Sequence, residues 1–218
     1  MRLTPHAFYQ GVAVKLFYSP NACSMGIHLL LEEIGNPYTL EKVDFSKAAQ
    51  YAPPFTDLNP KSKVPLLLRD DGTTVTEFPA IAYYLARSNP KANLLPENLE
   101  QEVRALELLD YLIATVHMRG FTRIFRSSLF TPRPEDEDKV KQAGRDIIIK
   151  GFEILEPVLG SQAYILGQFS IVEGALFFLE HWARHRAKIT LPANFEAHLD
   201  RLLARPATQR VLASEGLA

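Results

Sequence analysis

Cysteine is nearly absent from this 218-residue chain, in which Cys23 stands alone. A single cysteine excludes an intrachain disulfide and is typical of proteins from a reducing compartment. Neither sign of charge dominates, because 24 Lys and Arg face 25 Asp and Glu for a net charge of −1, so a broad basic surface for nucleic acid is not expected. Long apolar runs are lacking too, since none reaches the ~18 residues of a membrane span. These absences predict a cytoplasmic protein without nucleic-acid or membrane partners.

The first 13 residues lack the apolar stretch of roughly 7 residues or more that an export signal needs. Pro5, Gln10 and Gly11 interrupt the segment, so we expect residues 1–13 to form a flexible extension. Apolar residues are otherwise plentiful, at 47% of the sequence. That content supports a sizeable core, in one large domain or two small ones.

The first regular pattern is a strand, a helix and a second strand. β-Branched and aromatic residues predict strands at 14–18 and 38–43, and apolar residues at helical spacing predict a helix at 23–34. Gly35 and Pro37 supply the residues that end such a helix. Because a helical crossover joins parallel strands, these two strands are predicted to be parallel.

A hairpin and another helix complete the first half of the chain. Strands are predicted at 64–68 and 73–76, joined by a turn around Gly72, and a helix follows at 77–88. The order β-α-β, then β-β-α, predicts an α/β thioredoxin-like domain at residues 14–88. Its sheet would have four strands in mixed directions, with helices on both faces.

Beyond residue 88 the sequence changes character. Prolines and asparagines predict a linker at 89–99, and no convincing strand pattern follows it. The remainder, residues 100–218, is predicted to be an all-α domain. Amphipathic patterns place its helices at 100–130 with a bend near Gly120, and at 135–159, 170–186, 194–204 and 206–214. Ser170 and Glu173 form a capping-box pattern at the third of these helices.

Four short segments, in this order and spacing, resemble those of the cytosolic glutathione transferases, and in detail the bacterial, cysteine-containing beta-type branch. They are Lys15 to Ser24, Asn59 to Pro65, Thr76 to Ile81, and Ala213 to Leu217. The resemblance implies a cytoplasmic, homodimeric transferase used in detoxification. Glutathione would be the co-substrate, its thiolate would attack a hydrophobic electrophile in the cleft between the domains, and no metal would be needed.

Three residues are candidates for catalysis. Cys23 lies where the first helix begins, and free N–H groups and the helix dipole stabilise a thiolate there, although a free cysteine can also be a small buried hydrophobic residue. The resemblance places Cys23 against the glutathione sulfur. Ser24 could donate to a thiolate or cap the helix, and His117 matches a position where beta-type relatives carry a histidine near the thiol.

The resemblance also implies a set of glutathione-binding residues. The bond from Val64 to Pro65 is expected to be cis, which exposes the Val64 backbone to pair with the cysteine of glutathione. Glu77 would hold the γ-glutamyl amine, and the N–H of Phe78 would hold the α-carboxylate. Many relatives have serine where this chain has Phe78, so the ring would either fill the ligand's space or point into the core.

Two polar residues are weaker candidates for the same ligand. Lys47 is the nearest basic residue to where relatives hold the glycyl carboxylate. Asp110 lies seven residues before His117, which is two turns away on the same face of an α-helix.

The second domain supplies the predicted substrate pocket. Trp182 falls where the family's third bundle helix closes the cleft, and Arg119 and Arg123 belong to a cationic stripe that could attract an anionic substrate. His181 and His185 have the spacing of metal ligands, but no third ligand is evident, so no metal site is predicted.

Two alternatives to conjugation follow from particular residues. With one cysteine, Cys23 could carry out monothiol, glutathione-dependent thiol–disulfide exchange, because there is no resolving partner. Phe78 instead favours a non-catalytic homologue that binds ligands or a partner. Retention on immobilised glutathione separates the binding module from both enzymes.

Overall fold

The computed structural model describes residues 14–218, so the predicted extension at residues 1–13 lies outside the described residues. Its first half is built on one mixed sheet of four strands in the order β2-β1-β3-β4, which confirms the predicted thioredoxin-like domain. The strands are β1 (Val14–Tyr18), β2 (Tyr38–Lys42), β3 (Leu66–Arg69) and β4 (Thr74–Thr76).

Strand directions follow the prediction. β1 runs parallel to β2, with Val14 opposite Tyr38, and antiparallel to β3, with Val14 opposite Arg69. β3 and β4 form the antiparallel hairpin. The third strand begins at Leu66 rather than Val64, which leaves the backbone of Val64 outside the ladder.

Side chains of β1 alternate between two apolar clusters because successive residues of a strand point to opposite faces. Leu16 and Tyr18 pack into the large cluster with α1 (Ser24–Ile34) and α3 (Phe78–Ser88). Phe17 packs on the other face, in a smaller cluster with the short helix α2 (Phe55–Leu58).

The long helix predicted at 100–130 is divided and shorter. It begins as α4 (Leu99–Asp110), whose N-cap Asn98 accepts hydrogen bonds from the next turn, and continues as a π-helical stretch (Tyr111–Phe121). It ends with α5 (Thr122–Phe125), so the prediction that it reaches residue 130 was wrong. Since π-helical bonds run from i to i+5, side chains beyond residue 110 lie on different faces from those that α-helical spacing gives.

The later helices lie close to their predicted bounds. They are α6 (Glu137–Leu159), α7 (Ile171–His181) with a π-helical continuation (Trp182–Ala187), α8 (Ala193–Leu203) and α9 (Pro206–Glu215). The capping box at the start of α7 is confirmed. Across residues 14–218, no helix has the length and apolar character needed to cross a membrane.

The two domains touch through two glycines where α1 crosses α7. A Cβ atom added at Gly26 would lie only 2.1 Å from the carbonyl oxygen of Gly174, and one added at Gly174 would lie 3.0 Å from the carbonyl oxygen of Gly26. The same Cβ at Gly26 would be 2.9 Å from the ring of Phe78. The helices therefore approach backbone to backbone, and Phe78 covers the contact.

Candidate functional site

The loop between β1 and α1 carries the single cysteine of the sequence, at the start of the first helix. Cys23 is the N-cap residue of α1, and Asn21 takes a positive φ of 56° two residues earlier. The Ser24 hydroxyl closes this loop, because it accepts from the backbone N–H of Ser19 at 3.2 Å and donates to the Ser19 carbonyl at 3.3 Å. Ser24 therefore holds the loop, and a role for its hydroxyl towards a thiolate stays a prediction.

Burial has the largest effect on the pKa of the Cys23 thiol. It raises the pKa of Cys23 to about 12, although the backbone N–H groups of Cys23 and Ser24 and the nearby Lys63 act in the opposite direction. Desolvation thus opposes the expected stabilisation of a Cys23 thiolate in the free protein, and it exceeds the effect of the helix terminus. The protonated thiol donates to the carbonyl oxygen of Val64, with Sγ 3.4 Å away.

The segment before β3 faces this thiol. The bond from Val64 to Pro65 is cis, as predicted. Val64 itself is buried, and its carbonyl oxygen accepts the hydrogen bond of the Cys23 thiol. Lys63 lies close enough to lower the pKa of both Cys23 and His117. Lys63 is therefore a basic residue of the site that sequence reasoning missed, although it directly precedes the cis bond.

Glu77 and Phe78 begin α3 with their side chains in opposite environments. Glu77 takes a positive φ of 71°, and its exposed carboxylate pairs with Lys61 at 2.6 Å. The Phe78 ring is only 4% exposed and lies 5.5 Å from the ring of Phe178. Of the two alternatives for Phe78, the structure supports the ring that points into the core.

An aromatic cluster forms the helical side of the site. Trp182 is at its centre, with ring centroids 4.9 Å from Phe178, 5.2 Å from His117 and 5.4 Å from Phe125. The Trp182 indole N–H donates to the Asn21 carbonyl at 3.0 Å. Trp182 thus links the helical domain to the loop that carries Cys23.

His117 lies within this cluster as a neutral imidazole. Burial, aided by Lys63, lowers the pKa of His117 to about 4. Its Nδ1 is buried and has no hydrogen-bond partner among residues 14–218. Asp110 is exposed, in contrast to the half-buried His117. The π-helical stretch begins between the two positions and changes the angle between their side chains from the one that α-helical spacing gives.

Three predicted cationic residues lie on the surface. Lys47 is exposed and 3.8 Å from Asp44. Arg119 is exposed, and Arg123 places its guanidinium 4.4 Å from the centre of the Phe130 ring. Within residues 14–218, no cation–π contact joins any of the three to a ring of the Trp182 cluster.

A different arginine does contact that cluster. Arg186 follows Trp182 by four residues, lies 4.0 Å from the centre of the Phe125 ring and donates to the Asn21 carbonyl at 3.1 Å. Arg186 was not predicted because the helical spacing of the arginines in residues 119–126 indicated a cationic surface there instead. The spacing from Trp182 was the available signal.

The rings of His181 and His185 lie with their centroids 4.6 Å apart and are tilted by 41°. In the part of the chain that the structure describes, no group of three or more His, Cys, Asp or Glu side chains is arranged to hold a metal ion.

A thioredoxin-like sheet with a thiol at its first helix, joined to a helical domain that closes over it, defines the class of glutathione transferase folds. Residues 21–88 match the family described as "Glutathione S-transferase, N-terminal domain". The chain is also 36% identical over 209 residues to "Glutathione S-transferase GstA" of Escherichia coli O157:H7, covering 94% of this chain and 100% of the relative. The chain therefore belongs to the glutathione S-transferase family.

Solved structures give the same result. A "Bacterial beta class Sphingomonas chungbukensis Glutathione S-transferase" matches with a TM-score of 0.79 and 31% identity, covering 94% of this chain and 100% of that chain. A glutathione transferase homologue from Sulfitobacter, solved with bound glutathione, matches with a TM-score of 0.84 and 25% identity, covering 95% of this chain and 100% of that one.

Proposed function

We propose that this glutathione transferase is a beta-type enzyme that presents the thiolate of glutathione to a hydrophobic electrophile in the cleft between residues 14–88 and residues 100–218. The observation that carries the proposal is the position of Cys23. Its sulfur lies at the start of α1 and 3.4 Å from the Val64 carbonyl, beside the backbone that relatives use to bind the cysteine of glutathione. Glutathione bound there would place its own sulfur next to Cys23.

The charge state of Cys23 favours conjugation over thiol–disulfide exchange. Because burial raises the pKa of Cys23 to about 12, its thiol remains protonated at neutral pH. A protonated thiol is a poor nucleophile but can donate a hydrogen bond. We assign Cys23 to the stabilisation of the glutathione thiolate, with the neutral His117 close to the reacting atoms.

The start of α3 would bind the other end of glutathione. The ion pair between Glu77 and Lys61 is exposed, so a ligand ammonium can replace the lysine at little cost. The N–H of Phe78 belongs to the first turn of α3, which leaves it available to the α-carboxylate. We retain Lys47 and Asp110 only as peripheral contacts, because both are exposed.

Calorimetric titration of glutathione, with conjugation of 1-chloro-2,4-dinitrobenzene, tests the function. We expect Glu77→Gln to weaken glutathione binding about tenfold, because a charged hydrogen bond to the amine is lost. The matched control Glu135→Gln, on the exposed surface before α6, should leave binding unchanged. A native protein that neither binds glutathione nor forms the conjugate would overturn the proposal.

Replacement of Cys23 separates the two chemistries. Cys23→Ala should lower conjugation modestly, because the glutathione sulfur remains the nucleophile, and should abolish any disulfide exchange. Cys23→Ser keeps a hydroxyl donor and should restore most of the conjugation rate. Equal loss of both activities in Cys23→Ala would show that the protein thiol itself attacks.

We also propose a cytoplasmic homodimer, as the relatives' branch implies. Apolar side chains at Leu99 and Val103 are exposed on one side of α4, and Phe45 and Tyr51 are exposed in the first domain. Such groups on both domains suit docking of one domain of a subunit against the other domain of its partner. Light scattering should return twice the chain mass of 24.6 kDa at micromolar concentration, and a monomer would contradict this assignment.

A further inference from the structure

Arg186 is a guanidinium without a carboxylate partner at the contact between the two domains. Arg184, two residues earlier, is paired with Glu196 and also with Asp200 at 2.6 Å. Arg186 has no such partner anywhere in residues 14–218, and it is exposed to solvent. An unpaired guanidinium can bind an anion without first breaking an ion pair.

The surroundings of Arg186 leave its donors available. Its guanidinium lies 4.0 Å from the centre of the Phe125 ring and 5.3 Å from that of Trp182, so aromatic rings hold the group in place. One N–H donates to the Asn21 carbonyl, and a guanidinium carries five. The remaining donors form a planar fork whose geometry matches a carboxylate.

The location of Arg186 is next to the chemistry. The Asn21 carbonyl that it shares with Trp182 is two residues from Cys23. Trp182 also contacts His117, whose Nδ1 is buried without a partner. A flat apolar group could therefore lie against the half-buried rings of His117 and Phe125, at the edge of the cluster, while an attached anion reaches Arg186.

Other charges near the site reinforce this preference. Lys63 lowers the pKa of Cys23 and His117, and the Arg126 guanidinium lowers the pKa of the Tyr51 phenol across the domain boundary. Glu77 is the acidic group that opposes them at Cys23, and it is exposed and paired with Lys61. At the Cys23 thiol, the effect of Lys63 therefore exceeds that of Glu77.

We propose that Arg186 is a substrate-binding residue, and that the protein acts preferentially on aromatic or unsaturated electrophiles that carry a carboxylate. This inference rests on the proposed function. The test substrate is 4-chloro-3-nitrobenzoate. In its reaction, the sulfur of glutathione forms a bond to the ring carbon that bears chlorine. Chloride leaves with the bonding electrons, and the thiol proton passes to solvent.

Binding can be measured without any reaction. The protein contains one tryptophan, Trp182, so a nitroaromatic ligand beside Arg186 should quench its fluorescence. We expect 4-chloro-3-nitrobenzoate to bind at least about tenfold more tightly than the neutral 4-chloro-3-nitrobenzamide, in the absence of glutathione. With glutathione present, kcat/KM should show the same preference.

The variant Arg186→Gln should remove the preference while leaving amide affinity nearly unchanged, because glutamine still offers a donor to Asn21. Lys91→Gln, which removes an exposed cation of the linker, is the control for net charge and should keep the preference. If Arg186→Gln does not fold, Arg186→Lys keeps the charge but loses the fork and should reduce the preference severalfold.

Equal affinity of the native protein for acid and amide would overturn the inference, as would a preference that survives in Arg186→Gln. Failure of the proposed function is distinguished by 1-chloro-2,4-dinitrobenzene, which carries no anionic group. Turnover of that neutral substrate without a preference for the acid would leave the transferase assignment intact and reject the role of Arg186.

Discussion

At the scale of single residues, Cys23 and Phe78 show how burial changes the meaning of a position. The helix start favours a thiolate at Cys23, yet desolvation is the larger effect and keeps the thiol protonated. Phe78 occupies a position where many relatives have a ligand-binding serine, yet its ring is 4% exposed and packs on Phe178. The backbone N–H of Phe78 still belongs to the first turn of α3, so a carboxylate could bind there without a serine hydroxyl.

Replacement of Phe78 by serine should therefore damage the fold and not improve the ligand site. Loss of a buried phenylalanine ring is expected to lower the free energy of unfolding by about 3–5 kcal/mol. Glutathione affinity of the folded fraction should stay within about threefold, because the backbone N–H serves the carboxylate. Denaturant unfolding and calorimetry on the same preparation measure both quantities.

Phe130→Ser provides the matched control for this change, since Phe130 is an aromatic residue with 40% exposure and should cost little stability. Tighter glutathione binding by Phe78→Ser, without a loss of stability, would show that the ring restricts the ligand.

At the scale of helices and strands, the clearest patterns were predicted best. The strand at Val14–Tyr18 and the end of α1 at Gly35 follow from local residues, and the structure agrees with both. The π-helical stretch at Tyr111–Phe121 has no comparable signal, because i to i+5 bonding is selected by packing against other helices. That stretch carries His117, which contacts Trp182, so α-helical spacing could not predict which side chains reach the aromatic cluster.

The crossing of α1 and α7 should tolerate the two possible alanine substitutions very differently. At Gly26 an added Cβ meets a backbone oxygen at 2.1 Å, so Gly26→Ala is expected to cost about 3 kcal/mol or more. At Gly174 the nearest atom is at 3.0 Å, and the better helix propensity of alanine offsets much of the strain. Thermal unfolding of the two variants should rank them in this order, and equal costs would contradict the crossing.

At the scale of the whole molecule, buried histidines make stability depend on pH. Burial, with help from the nearby cations His185, Arg186 and Arg184, lowers the pKa of His181 to about 4. Other groups act in the opposite direction, since burial raises the pKa of Glu180 to about 7. The pH dependence of the native protein is therefore a sum of opposing contributions, and single variants are needed to separate them.

His181→Gln should make the protein more resistant to acid. The folded-state pKa of about 4 lies below the unfolded value near 6.5, so the unfolded chain binds the proton first and stability falls as pH drops below 6.5. Relative to His181→Gln, the native protein should lose about 1–2 kcal/mol of unfolding free energy between pH 7 and pH 5, after allowance for solvent screening. Urea unfolding across this range measures the difference.

His185→Gln is the control, because His185 is exposed and should show a smaller change. A native-to-variant difference that does not vary with pH would assign the protonation to other groups.

The contact between Gly26 and Gly174 also bears on how such enzymes can be recombined. Two backbones that touch leave no side chain to absorb a mismatch, and Phe78 depends on the same narrow space. A chimera that takes its first domain from this chain and its helical domain from a relative with a large residue at the Gly174 position would bring that side chain against Gly26. We expect such hybrids not to fold unless Gly26, Phe78 and Gly174 are transferred together. These three residues therefore have to be exchanged as a set across the domain boundary.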